Sequence, residues 1–346
     1  AGQPTGPAAD VAEVFSTYLY TGNGSTQTIT NGIDLAGEGG IVWNKARSDT
    51  GDHQIFYQNG SSIDMVKANT SDDASTNMAT YGNSFNSNGF TMGSPFAPNT
   101  VDMASFTFRK KSGFFDCVTW SGNSTARTIS HDLGSAPAFM LIKRVSHAAG
   151  WAIYHKDNGT SKYMLMDTGV SLTETTDYTA AGDHWNGTTP TDTNFSLGGH
   201  YEVNYTGSTY VAYLFADNSS EDADDQMIKC GSYTGTAADL SINLGWEPQF
   251  LLIKNATSTA DWYMVDTMRG FTATSLTNEH LSPNSSNAEA KVGNVAYDKF
   301  LNSTGFNLKA NASEFNTNNQ TYIYMAIRAP MMVEPEAATD VFNTIA

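Results

Sequence analysis

One ordered set of strand-forming blocks occurs three times along this chain, and that recurrence restricts the fold more than any other feature of the sequence. Each round opens with an aromatic residue and a glycine-containing turn: Tyr20-Thr21-Gly22-Asn23-Gly24-Ser25, Trp120-Ser121-Gly122-Asn123-Ser124 and Tyr233-Thr234-Gly235. In the first two rounds a polar β-branched stretch follows, Gln27-Thr28-Ile29-Thr30-Asn31-Gly32 and Arg127-Thr128-Ile129-Ser130-His131-Asp132, which reads as a hairpin. Next comes an apolar strand closed by lysine: Ile41-Val42-Trp43-Asn44-Lys45, Phe139-Met140-Leu141-Ile142-Lys143 and Phe250-Leu251-Leu252-Ile253-Lys254. Its near-continuous apolarity predicts burial on both faces. A second, alternating aromatic strand includes Ile55-Phe56-Tyr57, Trp151-Ala152-Ile153-Tyr154 and Trp262-Tyr263-Met264-Val265. After a long polar excursion each round shows a Phe-x-hydrophobe pair, at Phe90-Thr91-Met92, Phe195-Ser196-Leu197 and Phe306-Asn307-Leu308. It ends on an aromatic, β-branched block at 103–108, 210–215 or 322–327, the composition of a half-buried strand.

The opening aromatics stand at 20, 120 and 233, a spacing far longer than that of a solenoid, so each round is expected to fold as its own domain with its own core. One core running through all three is not expected. The chain is therefore read as all-β: three tandem antiparallel β-sandwich modules, jelly-roll-like, with minimal helix. The layout is an N-terminal arm at 1–13, sandwiches at 14–110, 112–217 and 227–330, and a C-terminal arm at 331–346 that lies along a neighbour. Short helical turns are expected at 7–15 and 288–300. The junction Lys110-Lys111-Ser112-Gly113 is short enough to be tight, whereas the acidic run at 218–225 reads as a looser linker.

Charged residues make up only 15% of the chain, against about 25% in typical soluble domains, and Asn, Ser, Thr and Gly replace them. Such a surface suits turns and strand faces in an extracellular or particle-borne protein. The formal net charge of −17, with no basic run beyond Arg109-Lys110-Lys111, opposes binding to a polyphosphate backbone, so nucleic acid is excluded as a partner. The N-terminal residues form neither a basic nor an apolar signal region, and no apolar run approaches membrane-spanning length; membrane insertion is not expected.

Motifs for chemistry are sparse. Two cysteines cannot make a four-ligand zinc site, and Cys117 and Cys230, each three residues before an opening aromatic, are read as free buried thiols. The seven histidines include no His-Glu-x-x-His pair, and they read as adaptable strand residues. No nucleophile elbow, phosphate loop or dinucleotide turn occurs. The acidic run at 221–225 lacks the ligand spacing of a calcium loop. Lys45, Lys143 and Lys254 recur in all rounds and are expected to lay their stems over aromatics while keeping the charge in water. No catalytic, cofactor-binding or metal-ligating residue is assigned. Trp185, in the polar stretch Asp183-His184-Trp185-Asn186-Gly187, is the candidate for an exposed platform that stacks on a sugar ring.

These blocks together resemble a module that recurs in proteins of marine tailed phages, a domain of unknown function found in structural and tail-fibre proteins. The resemblance rests on the Tyr-Thr-Gly-Asn-Gly-Ser opening, the Ile-Lys strand, the Asp-Trp-Tyr strand and the Tyr-Val-Ala-Tyr-Leu-Phe ending, and it spans about 14–330. It implies a virion location and carries over no catalytic residue. The expected function is thus a non-enzymatic virion protein, of tail, fibre or particle surface, that assembles with copies of itself, a homotrimer among the options, and with other virion proteins. The alternatives are an adhesin gripping host surface glycans through the loops at 61–81 and 171–193, and, less favoured, a glycan-degrading tail enzyme.

Overall fold

The computed structural model describes residues 11–174, 183–218, 225–272, 278–292, 299–310 and 312–330. They form an all-β, antiparallel structure with a few single-turn helices. Three large sheets carry the recurring blocks in one common order. In sheet I, Phe15–Thr21 pairs with Asp102–Arg109, which pairs with Gly40–Ala46, then Gln54–Asn59 and Ser62–Lys67. Sheet II runs Phe115–Ser121, Thr209–Phe215, Phe139–Arg144, Trp151–His155, Lys162–Leu165 and Thr173–Glu174. Sheet III runs Ile228–Thr234, Thr321–Arg328, Pro248–Asn255 and Trp262–Asp266. In each, the opening strand lies beside the closing one, and the lysine-ended strand is central. The glycine of each opening turn is fixed by close approach of backbone to backbone. A Cβ on Gly22, Gly122 or Gly235 would stand 2.1, 2.3 or 2.2 Å from a carbonyl oxygen, of Pro98, Tyr205 and Thr317 respectively.

A small sheet backs the outer face of each large one: Gln27–Thr30 with Gly89–Met92 and Ser84–Asn86, Arg127–Ser130 with Asn194–Leu197, and Leu240–Asn243 with Gly305–Leu308 and Lys299–Asn302. Strand alternation divides the side chains between two cores. Val42, Phe56 and Met65 of sheet I pack outward on Ile29, Phe90 and Met92, while Ile41, Trp43, Ile55, Phe106 and Phe108 point to the opposite side. Sheet III divides likewise, Leu251, Ile253 and Val265 facing Phe306 and Leu308, and Phe250, Leu252 and Met264 facing the other way.

Those opposite faces meet one another, which corrects the expectation of three separately cored domains. The inward faces of all three sheets form one continuous apolar cluster. Phe108 of sheet I has ring contacts with Phe115 and Phe215 of sheet II and Phe250 of sheet III, with centroids 5.5–6.2 Å apart. Phe139 meets Trp262, and Tyr57 meets Tyr213, across two further seams. The physical reason was visible in the lysine-ended strands: a small sheet covers one apolar face only, and the second needs another cover.

The seams follow one pattern around a closed ring. The amides of Gly51, Ala149 and Ala260 donate to the carbonyls of Ser286, Ser71 and Gly169. The amides of Glu289, Ala74 and Leu172 donate back to Arg47, Val145 and Ala256. Sheet I is thereby tied to III, II to I, and III to II. Each recurring lysine sits at one seam, and its charge is buried instead of solvated, contrary to expectation. Lys45 Nζ donates to the carbonyls of Ala46 (2.7 Å) and Ser286 (3.5 Å). Lys143 donates to Ser71 (3.0 Å) and Ala149 (2.5 Å), and Lys254 to Gly169 (3.0 Å), Asn255 (2.9 Å) and Ala260 (2.9 Å). An ammonium group with three donors meets several carbonyls of two adjoining loops at once, and this offsets part of its desolvation. Burial still pulls all three down to about 8.

Two local expectations change. Of the helical turn expected at 288–300, the described ends are strands, Ala290–Val292 paired with Asn278–His280 and Lys299–Asn302, and 293–298 lie outside the described residues. Of the turn at 7–15, the described part is a 3₁₀ turn at Val11–Glu13, and the arms at 1–10 and 331–346 lie outside the described residues. The linker at 219–224 also lies outside them, but its ends are tied: the Asn218 side chain donates to the Asp225 carbonyl and accepts from the amides of Met227 and Ile228. Cys117 and Cys230 are free thiols, Cys230 buried and Cys117 half-buried, and burial pushes the Cys117 thiol up to about 12.

Candidate functional site

Trp185 is not the exposed platform expected from its polar neighbours. It is 1% exposed, its indole N–H donates to the Lys162 carbonyl at 2.8 Å, and its ring meets Tyr154 edge-on. The error lay in equating polar composition with solvent exposure. Asp183 and His184 are buried too, and the Asp183 carboxylate accepts the Trp185 amide, so this stretch folds its polar groups inward around the ring.

What the turn does is deliver His184 to a cluster on the flank of sheet II. Gly198 permits it, since a Cβ there would stand 2.1 Å from the Asp183 carbonyl oxygen, and its amide donates to the His184 carbonyl. The chain then runs into His200, whose side chain accepts the Glu202 amide and caps the short helix Tyr201–Asn204. Asn204 anchors that helix by donating to the carbonyls of Thr125 (2.7 Å) and Gly198 (2.8 Å). The Tyr210 hydroxyl holds it from below, accepting the Tyr205 amide and donating to the Tyr201 carbonyl.

Four rings consequently form a column. Tyr163 stacks on His184 with centroids 3.9 Å apart, His184 meets His200 at 3.9 Å, and His200 meets Tyr201 at 4.6 Å. Glu202 closes the side of this column. One of its carboxylate oxygens lies 2.9 Å from His184 Nε2 and 3.6 Å from His200 Nδ1, and the other accepts from the Tyr201 hydroxyl at 3.3 Å. His184 and Glu202 are almost fully buried, whereas His200 is about one-fifth exposed. Burial, with His184 alongside, pulls His200 down to about 4 against the opposing pull of Glu202. Nearby, burial raises Asp167, whose carboxylate accepts the Trp151 amide. Three donor atoms of His184, His200 and Glu202 within 4.8 Å of one another are the group among the described residues able to hold a metal ion.

The outer end of the column is open. Tyr201 is 48% exposed and Tyr205, on the same short helix, 50%; the Arg144 guanidinium lies over the Tyr205 ring at 5.5 Å. Tyr81, at the end of the 3₁₀ turn Met78–Tyr81, is comparably exposed. Sequence reasoning found neither the histidine cluster nor these tyrosines. The ligand-type residues come from a loop and a helix cap sixteen positions apart, so no i, i+4 or Cys-x-x-Cys spacing announces them; the only sequence trace is His200-x-Glu202 itself.

Fold and site together define an all-β protein of three large sheets closed around a shared core, with, among the described residues, one histidine-carboxylate cluster on its flank. Residues 10–107 and 102–330 match the family described as a domain of unknown function (DUF7483), and the chain belongs to that family. No curated protein matches it. Among the described residues no helix is long and apolar enough to cross a membrane.

Proposed function

We propose that this chain is a structural protein of a tailed-phage particle, made of three tandem copies of one module and acting by assembly with itself and other virion proteins rather than by catalysis. The observation that carries the reading is where the thrice-recurring residues go. Lys45, Lys143 and Lys254 close the seams, the aromatic strands are buried, and the opening glycines let backbone approach backbone within each unit, the pattern expected when rigidity is the selected property. Its low share of charged residues and polar Asn-, Ser- and Thr-rich exterior suit close packing of copies, and the sequence resemblance points to the virion. Electron microscopy of purified particles with labelled antibody against the chain tests this. Label on intact particles is the expected result, and a protein found in infected cells but absent from infectious particles overturns it. Light scattering on the purified chain measures whether copies associate, with a trimer among the expected states.

A second role, attachment to host glycans, is favoured by the exposed Tyr201 and Tyr205 with Arg144 beside them, which replace Trp185 as the stacking surface. An aromatic face covers the apolar side of a pyranose while a guanidinium reaches its hydroxyls. Glycan-array binding that is lost in Y201A and Y205A, with thermal stability unchanged, supports attachment. Release of reducing ends from host polysaccharide would instead make the protein an enzyme.

A further inference from the structure

We propose that His184, His200 and Glu202 bind a divalent transition metal ion of the zinc type, and that the ion pins the helix Tyr201–Asn204 to the turn that carries Trp185. This inference is independent of the virion reading, because it concerns the chemistry of one cluster.

Two imidazoles and a carboxylate are the donor set suited to a borderline cation, as opposed to the all-oxygen set of calcium or magnesium. Bonds of about 2.0–2.2 Å in a tetrahedral site separate neighbouring donors by roughly 3.3–3.5 Å. The separations of 2.9 Å from Glu202 to His184 Nε2 and 3.6 Å to His200 Nδ1 lie on either side of that distance, and the ion would take over the Nδ1 lone pair that otherwise accepts the Glu202 amide.

Burial gives a second reason. The Glu202 carboxylate is 4% exposed, and the contacts it makes besides His184 and His200 include the long one from the Tyr201 hydroxyl. A carboxylate so far from water calls for a cation beside it. His184 is as deeply buried, and its second ring nitrogen, Nδ1, has no hydrogen-bond partner among the described residues. Stacking between Tyr163 and His200 holds the ring, and its polar function is directed at the Glu202 side. His200, partly exposed beneath Tyr201, supplies the path of entry. Three protein donors leave a further position for water or a ligand group. At the equivalent cap of sheet III the residue is Ala312, and among the described residues the cluster is found beside sheet II.

The test uses the full-length, tag-free chain stripped with a chelator and dialysed, then titrated with zinc chloride at neutral pH by calorimetry, with thermal unfolding in parallel. The expected result is one equivalent bound per chain, with a dissociation constant of roughly 10 μM or tighter, and a higher melting temperature. H200A and E202Q should each weaken binding by about a hundredfold or more, whereas H147A, an exposed histidine elsewhere, should leave it unchanged. Circular dichroism checks that each variant is folded. If either is not, cobalt titration of the wild-type chain decides: an inner-sphere nitrogen-ligated visible spectrum supports the site, and the spectrum of the aqueous ion overturns it. No saturable binding, binding indifferent to H200A and E202Q, or binding lost in H147A also overturns it. The remaining alternative, a direct His184–Glu202 hydrogen bond with no metal, corresponds to the first of those outcomes.

Discussion

Replacing Lys254 with methionine tests the claim that the seams are closed by buried ammonium groups. Lys254 is fully buried, donates to carbonyls contributed by sheets II and III, and is pulled down to about 8 by burial. Methionine retains the stem and removes both the charge and the donors. At neutral pH two effects oppose each other. Relief of a charge whose affinity for its proton has fallen from about 10.4 to about 8 is worth roughly 3 kcal/mol. Loss of partners for buried carbonyls costs about 1–3 kcal/mol each. Gly169 keeps the Ala260 amide, so not every acceptor is orphaned, and the net change at pH 7 is small. The pH dependence is the sharper observable. A lysine with a depressed folded value holds fewer protons folded than unfolded between about pH 8 and 10.4, so wild-type stability rises with pH across that window. From pH 7 to 9.5 the wild type should gain about 2 kcal/mol relative to K254M, before buried tyrosines begin to oppose it. Urea unfolding followed by tryptophan fluorescence at half-unit pH steps measures the gap. A gap that stays constant from pH 7 to 9.5 would refute the buried, depressed lysine and with it this account of the seam.

F108A removes the ring shared by all three sheets and should cost about 3–5 kcal/mol, lowering one cooperative calorimetric transition; melting of sheet I alone at the lower temperature would contradict a common core. G235A places a Cβ 2.2 Å from the Thr317 carbonyl oxygen and should destabilise by more than about 2 kcal/mol, whereas G187A, open to solvent but at φ 57°, should show only the smaller backbone penalty of about 1 kcal/mol. E289Q breaks a carboxylate that accepts from Arg47 and from fully buried Arg269 between sheets I and III, for about 3–5 kcal/mol at pH 7. Burial raises Glu289, yet its arginine partners hold it below the usual glutamate range. Its contribution is therefore complete above about pH 4.3 and fades as pH falls through the lower folded value, so the gap to E289Q should narrow in acid.

Much of the strand framework was readable because burial imposes a period of two, which Ile41-Val42-Trp43 and Leu251-Leu252-Ile253 carry on both faces. Periodicity tells which side chains share a face but not what covers it, and for that reason the common core and the buried lysines escaped. At 290–292, part of the stretch where a short helical piece was expected, pairing of Ala290–Val292 with Asn278–His280 overrides local helix preference. Trp185 and the histidine cluster share one cause of failure: whether Asp183 and His184 face water depends on Gly198 and Asn204, which are distant in sequence from them and close in space.

Linking three similar sheets in one chain has a consequence that a ring of three separate subunits lacks. Identical subunits would place the same side chains at every seam, so any residue introduced for a local purpose would appear three times. Here each seam keeps its lysine and its paired backbone bonds while the remaining positions differ: Arg47 with Glu289 at one, Val145 with Ala74 at the next, Ala256 with Leu172 at the third. The common bonds determine the ring, and differences between seams are tolerated because covalent order fixes which sheet meets which. The same freedom allows His200 to cap a helix beside Glu202 in one unit while Ala312 stands at the corresponding position in another, so that, among the described residues, a chemically distinctive cluster stands beside one sheet and not at the matching cap of the other.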